Sequence, residues 1–145
     1  MTVSEIMQKD VTTLGVDDNL DIADDIMTLG RVRHLPVVDR AGVPVGLVTH
    51  RDLLKASVAS VLDLGRTAEK EWLGAIPVRV MMVTELSTIR PNAPISEAVD
   101  VMITRKIGCL LVVEAGRFVG LVTETDCLSY LRDLLKGPGR ADSRV

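Results

Sequence analysis

Hydrophobic and polar residues follow one pattern that occurs twice along this chain. Apolar residues spaced by three and four positions predict an amphipathic helix over residues 20–30 and another over residues 95–105. After each helix come an apolar run rich in Val (35–38 and 110–113), a turn containing Gly, and a second run ending in Leu-Val-Thr. Each such pair of runs predicts two antiparallel strands joined by a tight turn.

Each repeat also begins with a short extended segment and ends with another helix. The short segments are residues 11–14 and 86–89, and the helical patterns extend over residues 52–62 and 126–135. The predicted order in each unit is therefore strand, helix, strand, strand, helix. A unit of about 60 residues cannot easily bury a two-sided sheet alone, so we expect an α/β fold in which two pseudo-symmetric β-α-β-β-α units pack on one another.

These patterns predict how the chain is divided. We expect residues 1–56 to form the first motif, residues 57–76 a linker containing a helix, and residues 77–136 the second motif. The Gly- and Pro-containing polar tail, residues 137–145, is predicted to be loose.

Sequence identity between the repeats is highest in one motif. Residues 46–52, Gly-Leu-Val-Thr-His-Arg-Asp, return as residues 120–126, Gly-Leu-Val-Thr-Glu-Thr-Asp. The flanking residues match as well, and at the start of each repeat Ile6-Met7 corresponds to Val80-Met81 if single-residue slips are allowed near Asp10 and Arg40. Whole structural units are therefore duplicated.

Composition excludes several classes of function. A 145-residue chain that is 47% hydrophobic can fill a compact core, and its net charge of −3, with both signs interspersed, argues against a nucleic-acid surface. No apolar run approaches the ~18 residues needed to span a membrane, and the amino terminus lacks the pattern of a secretion signal. Cys109 and Cys127 have neither CxxC nor metal-ligand spacing and are interpreted as buried thiols. We therefore predict a cytoplasmic protein with no metal site.

The Thr-x-x-Asp motifs are the strongest candidates for chemistry. Thr49 and Asp52, like Thr123 and Asp126, stand where a strand ends and a helix begins. A helix amino terminus favours a phosphate, a carboxylate can accept hydrogen bonds from both hydroxyls of a ribose, and a threonine hydroxyl can bind either group. The same spacing is also a capping box, and on spacing alone capping is the favoured interpretation.

Taken together and in order, these motifs resemble a tandem pair of CBS domains, over residues 3–135. The resemblance implies one CBS pair whose clefts bind an adenosine ligand such as AMP, ADP, ATP or S-adenosylmethionine. It implies that Asp52 and Asp126 hold ribose hydroxyls and that Thr49 and Thr123 hold ribose or phosphate. It further implies a homodimer formed chiefly through the helices.

The resemblance also implies how residues are shared between the clefts. Each cleft combines one Thr-x-x-Asp motif with residues of the other repeat: the second motif with Val11, Arg33 and His34, and the first motif with Leu86, Gly108 and Cys109. Because Arg33 and His34 can donate to phosphate, we expect the cleft of Thr123 and Asp126 to bind the more phosphorylated ligand. His50 and Arg51 could serve the other cleft.

Two departures from the family pattern bear on ligand binding. Leu111 replaces the proline that the first repeat carries as Pro36. Gln8 and Met82 occupy a place where some ligand-binding members carry Thr.

We therefore predict a regulatory module that senses an adenosine nucleotide and acts on an unknown partner protein. A ligand-free assembly module, in which both motifs only cap helices, is the alternative. The sequence contains no Gly-x-Ser-x-Gly, Walker-type or His-Glu-x-x-His motif, so we do not expect an enzyme.

Overall fold

A computed structural model describes residues 1–61 and 66–137. The predicted loose tail lies outside the described residues except for Gly137, as do residues 62–65 of the predicted linker. The chain forms two compact units. The first unit contains residues 11–86 and 116–118, and the second contains residues 1–10, 87–115 and the chain from Val119 onward. The second unit therefore combines the second repeat with the first ten residues of the chain.

The first unit is a three-stranded sheet with helices. Its sheet order is β1-β2-β3, with β1 parallel to β2 and β2 antiparallel to β3. Four helices in the described part of the unit complete it. The elements are β1 (Leu14–Gly15), α1 (Leu20–Gly30), β2 (His34–Val38), β3 (Pro44–Thr49), α2 (His50–Val61), α3 (Arg66–Gly74) and α4 (Val78–Met81).

The second unit repeats this arrangement. A 3-10 turn at Val3–Glu5 precedes a sheet of order β4-β5-β6 in which β4 is parallel to β5. Its elements are β4 (Thr88–Ile89), α5 (Ile95–Arg105), β5 (Cys109–Glu114), β6 (Arg117–Thr123, of which residues 119–123 belong to this unit) and α6 (Glu124–Lys136). The predicted α/β order of strand, helix, strand, strand, helix is confirmed in both repeats. The first strand of each is shorter than predicted.

Each unit has its own apolar core, built from the periodic positions. The inward face of α1 buries Leu20, Ala23 and Met27 against β2 residues such as Leu35 and Val37. In the second unit, Ala98 and Met102 of α5 pack in the same way with Leu110, Val112 and Val122. This burial explains why the helix periodicity and the Val-rich runs predicted these elements correctly.

Backbone pairing corrects the alignment of the two repeats at their amino-terminal ends. Gln8 forms an antiparallel bridge with Leu121, and Val83 forms the equivalent bridge with Leu47. Gln8 therefore corresponds to Val83, and the prediction that it corresponds to Met82 is wrong. Thr2 and Pro77 form the matching bridges at the start of these segments, with Pro94 and Asn19 respectively. The sequence slip placed near Asp10 does not exist.

Candidate functional site

Thr49 and Asp52 join the end of β3 to the start of α2 as a reciprocal pair. The Thr49 backbone N–H and hydroxyl donate to Asp52 Oδ2 at 2.9 and 2.8 Å. In return, the Asp52 backbone N–H donates to Thr49 Oγ1 at 3.2 Å. This geometry is a capping box, so the capping interpretation is confirmed for the first motif.

Thr123 and Asp126 repeat the arrangement between β6 and α6. The Thr123 N–H and hydroxyl donate to Asp126 Oδ2 at 2.8 and 3.0 Å, and Asp126 N–H donates to Thr123 Oγ1 at 3.3 Å. The second motif is a capping box as well. In both motifs, capping uses only the Oδ2 atom of the aspartate.

The two aspartates differ in their second carboxylate oxygen. Among the described residues, no hydrogen bond is made to Asp52 Oδ1. The side-chain amide of Gln8 donates to both oxygens of Asp126, at 3.3 Å to Oδ1 and 3.1 Å to Oδ2. Capping therefore leaves an acceptor oxygen at Asp52, whereas the equivalent oxygen at Asp126 already has a donor.

Four basic residues lie at the same end of the first unit's sheet as its Thr-x-x-Asp motif. His34 is paired with Thr49 across β2 and β3, and the His50 N–H donates to the Arg33 carbonyl oxygen at 2.9 Å. Arg33, His34, His50 and Arg51 thus belong to the same end of the sheet as Thr49. Together with the N–H groups at the start of α2, this end has the donors that an anion requires.

The second unit has a different chemistry at the equivalent end of its sheet. The Glu124 N–H donates to the Gly108 carbonyl oxygen at 3.0 Å, which places Gly108 and Cys109 beside the start of α6. Burial, and secondly the charge of Asp126, raise the pKa of the Cys109 thiol from 9.0 to about 12. The first turn of α6 is acidic, with Glu124 and Asp126.

Val11 and Leu86, the other predicted ligand contacts, lie outside the strands. Both are half-buried and precede the first residues of β1 and β4 by three and two positions respectively. Their role in a site stays a prediction. The same is true of the pairing of each motif with residues of the other repeat, and of the preference for the more phosphorylated ligand at Asp126.

Gln8 is the site residue whose role sequence reasoning missed. It lies 118 positions from Asp126, and no local pattern connects them. The sequence feature that could have revealed it is a difference between the repeats: a polar Gln8 stands where the other repeat has the aliphatic Val83.

Residues 1–61 and 66–137 contain neither a candidate metal site nor a membrane-spanning helix. In this part of the chain, no three His, Cys, Asp or Glu residues are grouped so that they could hold a metal ion. Within the same residues, no helix is long and apolar enough to cross a membrane.

Comparison with known proteins identifies the family. The CBS domain model matches residues 3–59 and 69–133. A CBS domain-containing protein of Dictyostelium discoideum is 32% identical over 92% of this chain and 93% of its own length. Other relatives match over only part of their length, and the chain spans 23% of a homoserine O-acetyltransferase of Methanohalobium evestigatum that is 31% identical to it.

Solved structures have the same fold. The acetoin utilization protein AcuB of Vibrio cholerae is 30% identical, with a TM-score of 0.78 over 94% of this chain and 93% of its own. A CBS domain pair in complex with 5′-methylthioadenosine and S-adenosylmethionine is 24% identical, with a TM-score of 0.76 over 91% and 96%. CBSX2 in complex with AMP is 22% identical, with a TM-score of 0.77 over 90% and 96%.

Proposed function

Because the chain belongs to the CBS domain family and carries two copies of the domain, we propose that it is a regulatory module that binds an adenosine nucleotide through its Thr-x-x-Asp motifs. The proposal rests chiefly on the hydrogen bonding of the Asp52 carboxylate. Capping uses its Oδ2, while its Oδ1 accepts no hydrogen bond from the described residues. A carboxylate with free lone pairs beside a helix amino terminus suits a ribose attached to a phosphate.

Basic residues of the first unit support a phosphate-bearing ligand. Arg33, His34, His50 and Arg51 share one end of the sheet with Thr49. The proposed ligand contacts are these four residues, the two Thr-x-x-Asp pairs, and the half-buried Val11 and Leu86. Two proteins of the same fold are complexed with adenosine compounds, which supports AMP and S-adenosylmethionine as the first ligands to test.

The module acts through binding and not through catalysis. A ligand regulates only if it prefers one conformation of the protein over another, and the signal then passes to a partner protein. In each Thr-x-x-Asp pair the hydroxyl donates to the carboxylate, and within the described residues neither hydroxyl is hydrogen-bonded to a histidine base. We therefore assign these residues to ligand binding.

Thermal-shift titration of the purified protein with AMP, ADP, ATP, NAD and S-adenosylmethionine tests the proposal. One adenosine ligand should raise Tm progressively with its concentration, by about 5 to 10 °C at a hundred times its Kd. The double variant Asp52→Ala/Asp126→Ala should lose this shift. Glu5→Ala is the matched control, since Glu5 accepts from the Thr2 N–H at 2.6 Å in another capping box. An equal shift in the double variant, or none in the parent, contradicts the proposal.

A second candidate function is assembly, and one observation favours it. The helix α6 exposes a row of leucines with fractional exposures of 62, 48, 59 and 77% at Leu128, Leu131, Leu134 and Leu135. Three of them line a groove of about 640 Å³ between α5 and α6. An apolar helix face of this kind fits a homodimer, which is compatible with nucleotide binding.

A further inference from the structure

The Gln8 side chain holds the carboxylate that a ribose would need in the second unit. The backbone of Gln8 is fixed by two hydrogen bonds with Leu121, at 2.8 and 3.0 Å. From this position its side-chain amide reaches Asp126 Oδ2 at 3.1 Å and Oδ1 at 3.3 Å. The contact therefore joins a well-anchored segment to a proposed ligand residue.

The first unit lacks this contact although it has the same backbone geometry. Val83 replaces Gln8 and forms the equivalent bridge with Leu47, through hydrogen bonds of 2.8 and 3.0 Å. An isopropyl group cannot donate a hydrogen bond. Asp52 Oδ1 consequently has no donor among the described residues, and the duplication itself provides the comparison.

The acceptor positions of the Asp126 carboxylate limit the hydrogen bonds that a ligand can make to it. Each carboxylate offers about four acceptor positions. On Asp126, Oδ2 accepts from the Thr123 N–H, the Thr123 hydroxyl and Gln8, while Oδ1 accepts from Gln8. A ribose whose two hydroxyls bind Asp126 must therefore displace the Gln8 amide, and one hydrogen bond is exchanged for another with little net gain.

We propose that Gln8 is an internal competitor for Asp126, so that adenosine nucleotide binds more weakly at the Asp126 motif than at the Asp52 motif. This inference rests on the proposed function. The sites are then filled in sequence as nucleotide concentration rises, with the Asp52 motif first. Gln8 would determine the ratio of the dissociation constants at the Asp126 and Asp52 motifs.

Exchange of the two equivalent residues provides the test. Isothermal titration calorimetry with AMP is performed on Asp52→Ala, in which only the Asp126 motif is intact, and on Asp52→Ala/Gln8→Val. Removal of the competing amide should tighten AMP binding about three- to tenfold, the range for one exposed hydrogen bond. The reciprocal pair, Asp126→Ala and Asp126→Ala/Val83→Gln, should show weaker binding by a similar factor.

The outcomes separate this inference from the function on which it rests. Unchanged or weaker AMP binding in Asp52→Ala/Gln8→Val overturns the competition and leaves the nucleotide-binding function standing. AMP binding that persists unchanged in Asp52→Ala/Asp126→Ala, or that is absent from the parent and from Gln8→Val alike, overturns both. Binding by Gln8→Val where the parent binds weakly supports the competition.

Discussion

The thioether of Met82 occupies the space that a side chain at Gly46 would need. A β-carbon added to Gly46 would overlap with Met82 Sδ and lie 2.7 Å from its Cγ. Met7 and Gly120 repeat this relationship in the second unit, where the added β-carbon would lie 2.8 Å from Met7 Sδ. The glycine of each Gly-Leu-Val-Thr motif is therefore required by packing against a methionine.

Gly46→Ala should destabilise the protein by about 1 to 3 kcal/mol, because the methionine must move from a packed position. Met82→Ala should relieve the overlap, so the double variant Gly46→Ala/Met82→Ala should be more stable than the sum of the single effects indicates. Urea denaturation measures the three free energies of unfolding. Additive effects would contradict the packing relationship.

Gly120→Ala is the matched case with a different expected result. Its added β-carbon would also lie 2.9 Å from the carbonyl oxygen of Gln8, which is backbone and cannot rotate away. Met7→Ala should therefore restore less stability to Gly120→Ala than Met82→Ala restores to Gly46→Ala. Equal rescue in the same urea experiment would show that the Gln8 backbone adapts freely.

The capping boxes predict a graded response at Thr123. Thr123→Ala removes the oxygen that accepts from Asp126 N–H and should cost about 1 kcal/mol of folding free energy. Thr123→Ser keeps this oxygen and should recover most of the loss. Thermal unfolding followed by circular dichroism checks the order of the three proteins. A serine variant as unstable as the alanine variant would mean that the methyl group, not the cap, stabilises this position.

The sequence predicted the long elements because burial imposes a period on them. The helix α1 shows this directly, since Leu20, Ala23 and Met27 form its buried face. It did not predict α4 or the 3-10 turn at Val3–Glu5, which are four and three residues long and too short to show a period. The consecutive methionines Met81 and Met82 allowed an alignment wrong by one residue, which the backbone bridges and the packing of Met82 against Gly46 resolve.

The candidate site was predictable in part for a similar reason. Thr49, Asp52, Thr123 and Asp126 were found because capping and ligand chemistry both depend on local spacing. The Gln8 contact to Asp126 was not found, since it joins residues 118 positions apart through tertiary structure alone.

The raised pKa of Cys109 should make the stability of the folded protein depend on pH in the alkaline range. Burial, and secondly the charge of Asp126, raise its pKa from 9.0 to about 12 in the folded protein. The unfolded chain therefore releases the thiol proton from about pH 9, while the folded chain retains it. Stability should fall as pH rises from 9 to 12, by at most about 4 kcal/mol from this group. Urea denaturation across this range should give Cys109→Ala a shallower decline than the parent, and parallel declines would contradict the assignment.

The apolar face of α6 predicts self-association. Leu131→Glu and Leu134→Glu should shift a dimer toward monomer by at least tenfold in dissociation constant, because each places a charge in an apolar contact. Sedimentation velocity measures the change. Val43→Glu, in the turn between β2 and β3, adds the same charge at another exposed apolar residue and serves as the control. A parent that is monomeric at high micromolar concentration would contradict the homodimer.

Calorimetric titration of AMP into the parent protein and into Asp52→Ala shows whether the Asp52 carboxylate binds nucleotide. We expect saturable binding to the parent and loss of its tighter component in Asp52→Ala, with the fold retained by circular dichroism. Identical isotherms for the two proteins would show that the Asp52 carboxylate caps α2 and does not bind nucleotide.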